Sequence, residues 1–139
     1  MRILGIDFGE RRVGVAVSDA EAALATPLLT LVRKDDTSVI GRLLAIIEDE
    51  SVEALVVGEP LRLDGTRGPA AERAASFASK LAEAAGLPCD LVDEALTSVA
   101  AKERLREAGV DIRRYPERID AVAAQIILQE ALDRRRGGP

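Results

Sequence analysis

The sequence predicts an α/β fold on a mixed five-stranded sheet, with three antiparallel strands followed by two parallel ones and helices on both faces. Three observations predict it. The first third of the chain is a run of short β-prone segments joined by tight turns; the remainder alternates helical and strand periodicity; and 47% of the 139 residues are hydrophobic, enough for one core. Chain length fits a single domain over residues 1–139.

Arg2–Asp7 is an apolar run rich in Ile and Leu, and Phe8–Arg12 is a glycine-containing turn. Val13–Ser18 alternates β-branched with small residues, so the two runs read as a hairpin. Leu24–Val32 reads as a third strand, and Pro27, which cannot donate to a ladder, places it at a sheet edge or at a bulge. The period then changes. Val39, Leu43, Leu44, Ile46 and Ile47 share one helical face, opened by Asp35, Asp36, Thr37 and Ser38 as capping candidates. Ala54–Val57 is a buried-type strand ending at Gly58, and Glu59–Pro69 reads as a loop broken by Pro60, Gly65 and Gly68. A helix follows Pro69, with Ala71, Ala74, Ala75, Ala78, Leu81, Ala82 and Ala85 on its apolar face and Gly86 as its stop. Cys89–Val92 is a fifth strand leading to Asp93 and Glu94; Thr97 or Ser98 caps a helix running to Gly109; Val110–Arg118 is irregular; Ile119–Arg135 is the last helix. Directly connected strands pair antiparallel, strands joined through helices pair parallel, and a right-handed crossover lays the fourth strand beside the first. This is the ribonuclease H-like layout.

Composition narrows the chemistry. With no histidine and a single cysteine, Cys89, metal binding and acid–base work fall to carboxylates, and oxygen ligands favour Mg²⁺ or Mn²⁺. The lone cysteine suits a reducing compartment, and no stretch approaches the roughly 20 apolar residues of a membrane span, so the expectation is a soluble cytoplasmic protein with no membrane partner. A net charge of −5 argues against a uniformly cationic nucleic-acid binder, but arginine clusters at Arg11–Arg12, Arg62–Arg67, Arg113–Arg118 and Arg134–Arg136.

Three acids carry the candidate site. Asp7 ends the first strand before Phe8 and Gly9, at the sheet end where ligands of α/β proteins gather. Glu94 follows the fifth strand. Asp120 opens the almost wholly apolar Ile119–Leu128 stretch, where a buried carboxylate needs a cation, hydrogen bonds or an open cleft. Each has a plainer reading as a turn residue, a helix-entry acid, or a helix-start acid paired with Arg118. Together they match the oxygen-ligand set of metal-assisted phosphodiester hydrolysis. Glu59 is a fourth ligand or a loop residue. Arg11, Arg12, Arg62, Arg67, Arg113, Arg114 and Arg118 adjoin these acids in sequence and are the candidate phosphate contacts.

Leu4–Gly9 running into Arg12–Asp19, Val57–Leu61 with Asp64, Gly65 and Gly68, Asp93–Ser98, and Ile119–Leu128 resemble, in order, the motif blocks of the YqgF family, also called RuvX, of Holliday-junction-resolvase-like and pre-16S rRNA nuclease proteins. The resemblance implies a ribonuclease H-like fold and metal-dependent cleavage in ribosomal RNA processing or junction resolution. It also implies catalytic roles for Asp7, Glu94 and Asp120. Two positions depart from the family pattern: Ala95 stands where an arginine is usual, and Glu59 where a leucine is usual. Competing readings are a non-catalytic nucleic-acid-binding module and a phosphotransferase of actin or sugar-kinase type, which would need a second lobe and a second phosphate loop. A homodimer is compatible with any of these.

Overall fold

The computed structural model describes residues 1–94, 99, 103, 106–109 and 117–137, excluding the side chains of Glu117, Arg118 and Arg136. Its elements are β1 (Arg2–Phe8), β2 (Arg12–Ser18), β3 (Ala25–Val32), α1 (Asp36–Asp49), β4 (Val52–Glu59), α2 (Pro69–Ala85), β5 (Cys89–Asp93) and α3 (Glu117–Gly137). The sheet order is β3-β2-β1-β4-β5, with β1 antiparallel to β2, β2 antiparallel to β3, and β4 parallel to both β1 and β5. The predicted mixed sheet is therefore the observed one.

Local chemistry explains the boundaries. Pro27 sits on the edge strand and beside a bulge, where the pairing slips between Val15–Leu29 and Ala16–Pro27. Asp35 caps α1 by accepting from the Ser38 amide at 2.7 Å. Pro69 takes the first position of α2, and Gly86, at φ 67°, closes it in the left-handed conformation. Val99, Glu103, Arg106 and Glu107 are helical, but most of the expected helix from Thr97 to Gly109 and the irregular stretch before Arg118 lie outside the described residues.

Alternation along each strand sorts side chains between two cores. Leu4, Ile6, Val13, Val15, Leu55 and Val57 face α1 and α2 and close on Leu43, Phe77 and Leu81. Ile3, Ala16, Ala54, Val56 and Val92 face α3 and meet Ala124, Ile127, Leu128 and Leu132. Phe77 is fully buried and stacks on Phe8 at 4.2 Å between ring centroids; the alanine-rich stripe of α2 had hidden this anchor. Two glutamines fasten α3 to the edge strand: Gln129 accepts from the Ala25 amide and donates to the Ala23 carbonyl, and Gln125 donates to the Ala25 carbonyl.

One boundary differs in a way that matters. Glu59 is the last residue of β4 rather than the first of a loop, because β5 runs alongside to pair Glu59 with Asp93. The following Pro60 ends the strand.

Candidate active site

The acids gather at the end of the sheet where β1 and β4 finish. Asp7 is on the α3 face, two residues beyond Gly5 and four beyond Ile3, which packs under α3. Its register partner is Gly14 on β2. A β-carbon at Gly14 would collide with the Asp120 carbonyl oxygen, so this glycine is what lets the start of α3 lie directly on the sheet beside Asp7. Gly58 performs the same service for Glu94. A side chain there would overlap the Glu94 carboxylate and Ile127, and in its absence Glu94 reaches across β4 toward Asp7. The Glu94 backbone is held by its amide, which donates to the Glu59 carbonyl at 3.1 Å.

The Asp7 and Glu94 carboxyl groups are close enough that each disfavours charge on the pair, which favours one shared proton between them. Burial is the main reason: it raises Asp7 above the ordinary carboxylate range, and the Asp120 charge adds to the effect. Burial, then the neighbouring Asp7, push Glu94 up to about 9, with Asp93 contributing further repulsion. Glu94 Oε2 is buried and has no hydrogen-bond partner. Asp120 is the third member. Its Oδ2 stands 2.9 Å from the Arg12 Nε, so a guanidinium partly neutralises it.

The three predicted acids thus lie on one side of the sheet, close enough to perturb one another. They do not yet enclose an ion: among the described residues, no three acidic or sulfur side chains are gathered tightly enough to do so. Two of the donors are locked in a carboxyl pair and the third is turned to Arg12. The donor set nonetheless fits a hard divalent cation, being all oxygen and including a buried carboxylate oxygen with no donor. An adjoining cleft of about 350 Å³ is lined by Asp7, Phe8, Gly9, Pro60, Arg73 and Glu94.

Glu59 is not brought to this group. Alternation from Gly58 turns its side chain to the α1/α2 face, where it is buried against Arg67 in an ion pair. Arg12 and Arg67 therefore both stand beside an acid, while Arg62 lies over Gly68 at the entry to α2 and Arg11 is exposed. Arg113, Arg114 and the Arg118 side chain lie outside the described residues. Arg73 was missed: it lines the cleft from the exposed side of α2, a position signalled only by its spacing of four from Pro69.

Fold and site define a ribonuclease H-like domain with an acidic centre. Residues 1–134 match the RuvX family, described as Holliday junction resolvase, and the chain belongs to that family. It is 44% identical over 137 residues to a protein of Chloroflexus aurantiacus, covering 99% of this chain and 90% of that one. It is 43% identical over 135 residues to one from Anaeromyxobacter dehalogenans, covering 97% of this chain and 98% of that one. Both carry the name "Putative pre-16S rRNA nuclease". Among solved structures the fold matches RuvC of T. thermophilus in complex with Holliday junction substrate, at TM-score 0.62 and 22% identity, covering 99% of this chain and 97% of that chain.

Proposed function

We propose that this protein is a Mg²⁺- or Mn²⁺-dependent endonuclease that hydrolyses phosphodiester bonds in structured nucleic acid, with pre-16S ribosomal RNA as its substrate and the cytoplasm as its place of work. The observation that carries this reading is the Asp7–Glu94 carboxyl pair, made possible by Gly58 and left with a buried oxygen that has no donor. Burying two acids together is costly unless a proton or a cation offsets their charge.

Asp7, Glu94 and Asp120 are the residues that would hold the ion. When bound, a divalent cation supplies charge stabilisation to the transition state at phosphorus and acidifies the attacking water. The chain's own part is to exchange charges. Asp7 and Glu94 give up the proton they share, and Asp120 releases Arg12, which then faces the cleft as a phosphate ligand. Arg67, held by Glu59, offers a second cation at the same end of the sheet. Arg11 and Arg62 extend this basic border, and Arg113, Arg114 and Arg118, which precede Asp120 in sequence, are further candidate phosphate contacts. The relatives' name favours ribosomal RNA; the family's description favours four-way DNA junctions as a second substrate.

The test is direct. Purified protein is incubated with Mg²⁺ or Mn²⁺ against pre-16S RNA, four-way junctions and single strands, with EDTA controls and the Asp7→Asn variant alongside. Metal-dependent cleavage that disappears in the variant is expected; equal cleavage by the folded variant removes Asp7 from the chemistry.

A further inference from the structure

A second cleft, of about 180 Å³, opens at the same end of the sheet but on the α1/α2 face. Its walls are Phe8, Arg33, Asp36, Arg73, Ser76 and Lys80. Phe8 and Arg73 also line the active-site cleft, so the two depressions adjoin through these side chains. Three cations face one another here, and their state of engagement differs.

Arg33 is built into the wall. Its guanidinium lies 5.2 Å from the Phe8 ring centroid, donates through Nε and one terminal nitrogen to Asp36 Oδ1 at 3.0 and 2.8 Å, and donates through the other to the Glu10 carbonyl at 3.0 Å. Asp36 is therefore already matched by Arg33. Lys80 stands 3.7 Å from the other Asp36 oxygen and Arg73 3.8 Å from Glu10, too far for good hydrogen bonds, and both are more than half exposed. Arg73, Ser76 and Lys80 follow at spacings of three and four, which puts all three on one face of α2. Two loosely held cations, a hydroxyl and a preoriented guanidinium thus share a space that fits a tetrahedral oxyanion with a few waters, at about 30 Å³ per water.

We propose that this cleft is a phosphate subsite that takes a backbone phosphate of the substrate strand neighbouring the scissile one, with Lys80 and Arg73 as its ligands and Arg33 as its fixed wall. It rests on the nucleic-acid-cleaving reading of the adjacent acids. A strand leaving the acidic centre passes Arg73 and meets Lys80 on the far side of Phe8. The net charge of −5 makes such a local cationic track necessary for holding a polyanion.

The experiment is a binding cycle in Ca²⁺ with labelled RNA or junction substrates. Each phosphate near the cleavage position is replaced in turn by a neutral methylphosphonate, for wild type, Lys80→Ala and Lys80→Arg. Wild type should lose roughly two- to fivefold in affinity at one linkage adjoining the scissile one, the size of an exposed charge contact. Lys80→Ala should show the weakened binding throughout and no further loss at that linkage, and Lys80→Arg should restore the wild-type pattern. The slope of log affinity against log salt should fall by about one in Lys80→Ala. Arg73→Ala should behave as Lys80→Ala does at the same linkage. Free inorganic phosphate should compete only weakly; strong competition would mean a site for small oxyanions instead. Equal losses in wild type and Lys80→Ala at every linkage overturn the subsite, whether or not the protein cleaves. Wild type that binds but does not cleave in Mg²⁺ or Mn²⁺ overturns the nuclease reading alone and leaves the cycle readable. Wild type that binds no nucleic acid overturns both.

Discussion

Glu94→Gln perturbs the carboxyl pair with the least change of shape. In the unfolded chain this glutamate loses its proton near 4.5, whereas in the folded protein it keeps it up to about 9. Between those values the folded state binds more protons than the unfolded one. Without divalent cation, stability is therefore fullest below the unfolded value and falls as pH rises through the window. At 1.36 kcal/mol per pH unit, the part lost by pH 7 is at most about 3 kcal/mol, an upper limit because the proton is shared with Asp7. A glutamine has no proton to lose and can donate an amide N–H to Asp7. The variant should thus melt higher than wild type in EDTA, by up to roughly 10 °C at pH 7, given about 3 °C per kcal/mol for a chain of this size. The assay is thermal unfolding of both proteins at pH values from about 5 to 8. The gap between them should widen with pH. Added Mn²⁺ should raise the wild-type midpoint more at pH 8 than at pH 6, and raise that of the variant far less. A gap that stays constant across this range, or a variant that melts lower at pH 8, would refute the shared proton.

Gly58→Ala should lower activity at least tenfold and cost about 1–3 kcal/mol in denaturant unfolding, because its methyl group displaces Glu94 and presses on Ile127; wild-type activity would show that Glu94 does not need that space. Asp7→Asn should abolish cleavage while keeping the circular dichroism and melting behaviour of a folded protein. Glu59→Gln should leave the Mg²⁺ concentration for half-maximal activity unchanged, since its carboxylate faces away from Asp7; a several-fold rise would restore it as a ligand. Arg67→Ala should destabilise by about 2–4 kcal/mol, as it strands the buried Glu59 charge, and the double variant with Glu59→Leu should recover most of that loss in urea titrations.

Much of the sheet could be read from periodicity because apolar alternation and β-branched runs act locally. Pro27 even announced both the edge and the bulge. The acids were readable as residue types at element ends, and Asp7, Glu94 and Asp120 do lie together. Glu59 shows where local reading stops. Gly58, Glu59 and Pro60 look like the opening of a turn, and only the register with β5 reveals that the strand continues and that one residue of alternation separates Glu59 from the acidic side. Gly14 and Gly58 fall inside the family's motif blocks, but their structural role was not legible, since what each must avoid comes from a distant part of the chain. Phe77 was masked because alanines around it already completed a helical stripe, and Arg73 because an exposed helix charge gains meaning only from the cleft beside it.

The contact of α3 with Gly14 has a mechanical consequence. With the Asp120 carbonyl resting where a methyl group would not fit, and Gln125 and Gln129 tying the same helix to the edge strand, the start of α3 has little freedom to advance on the sheet or tilt away from it. The turn around Arg62–Thr66 is a separate unit, closed on itself by the hydrogen bonds Arg62 N–H to Thr66 O and Gly65 N–H to Arg62 O at 2.9 and 2.8 Å, and joined to β4 through Pro60, the Leu61 N–H to Glu59 O bond at 2.9 Å and the Arg67–Glu59 pair. Asp120, at the start of α3, is thus carried beside Asp7 on a rigid support.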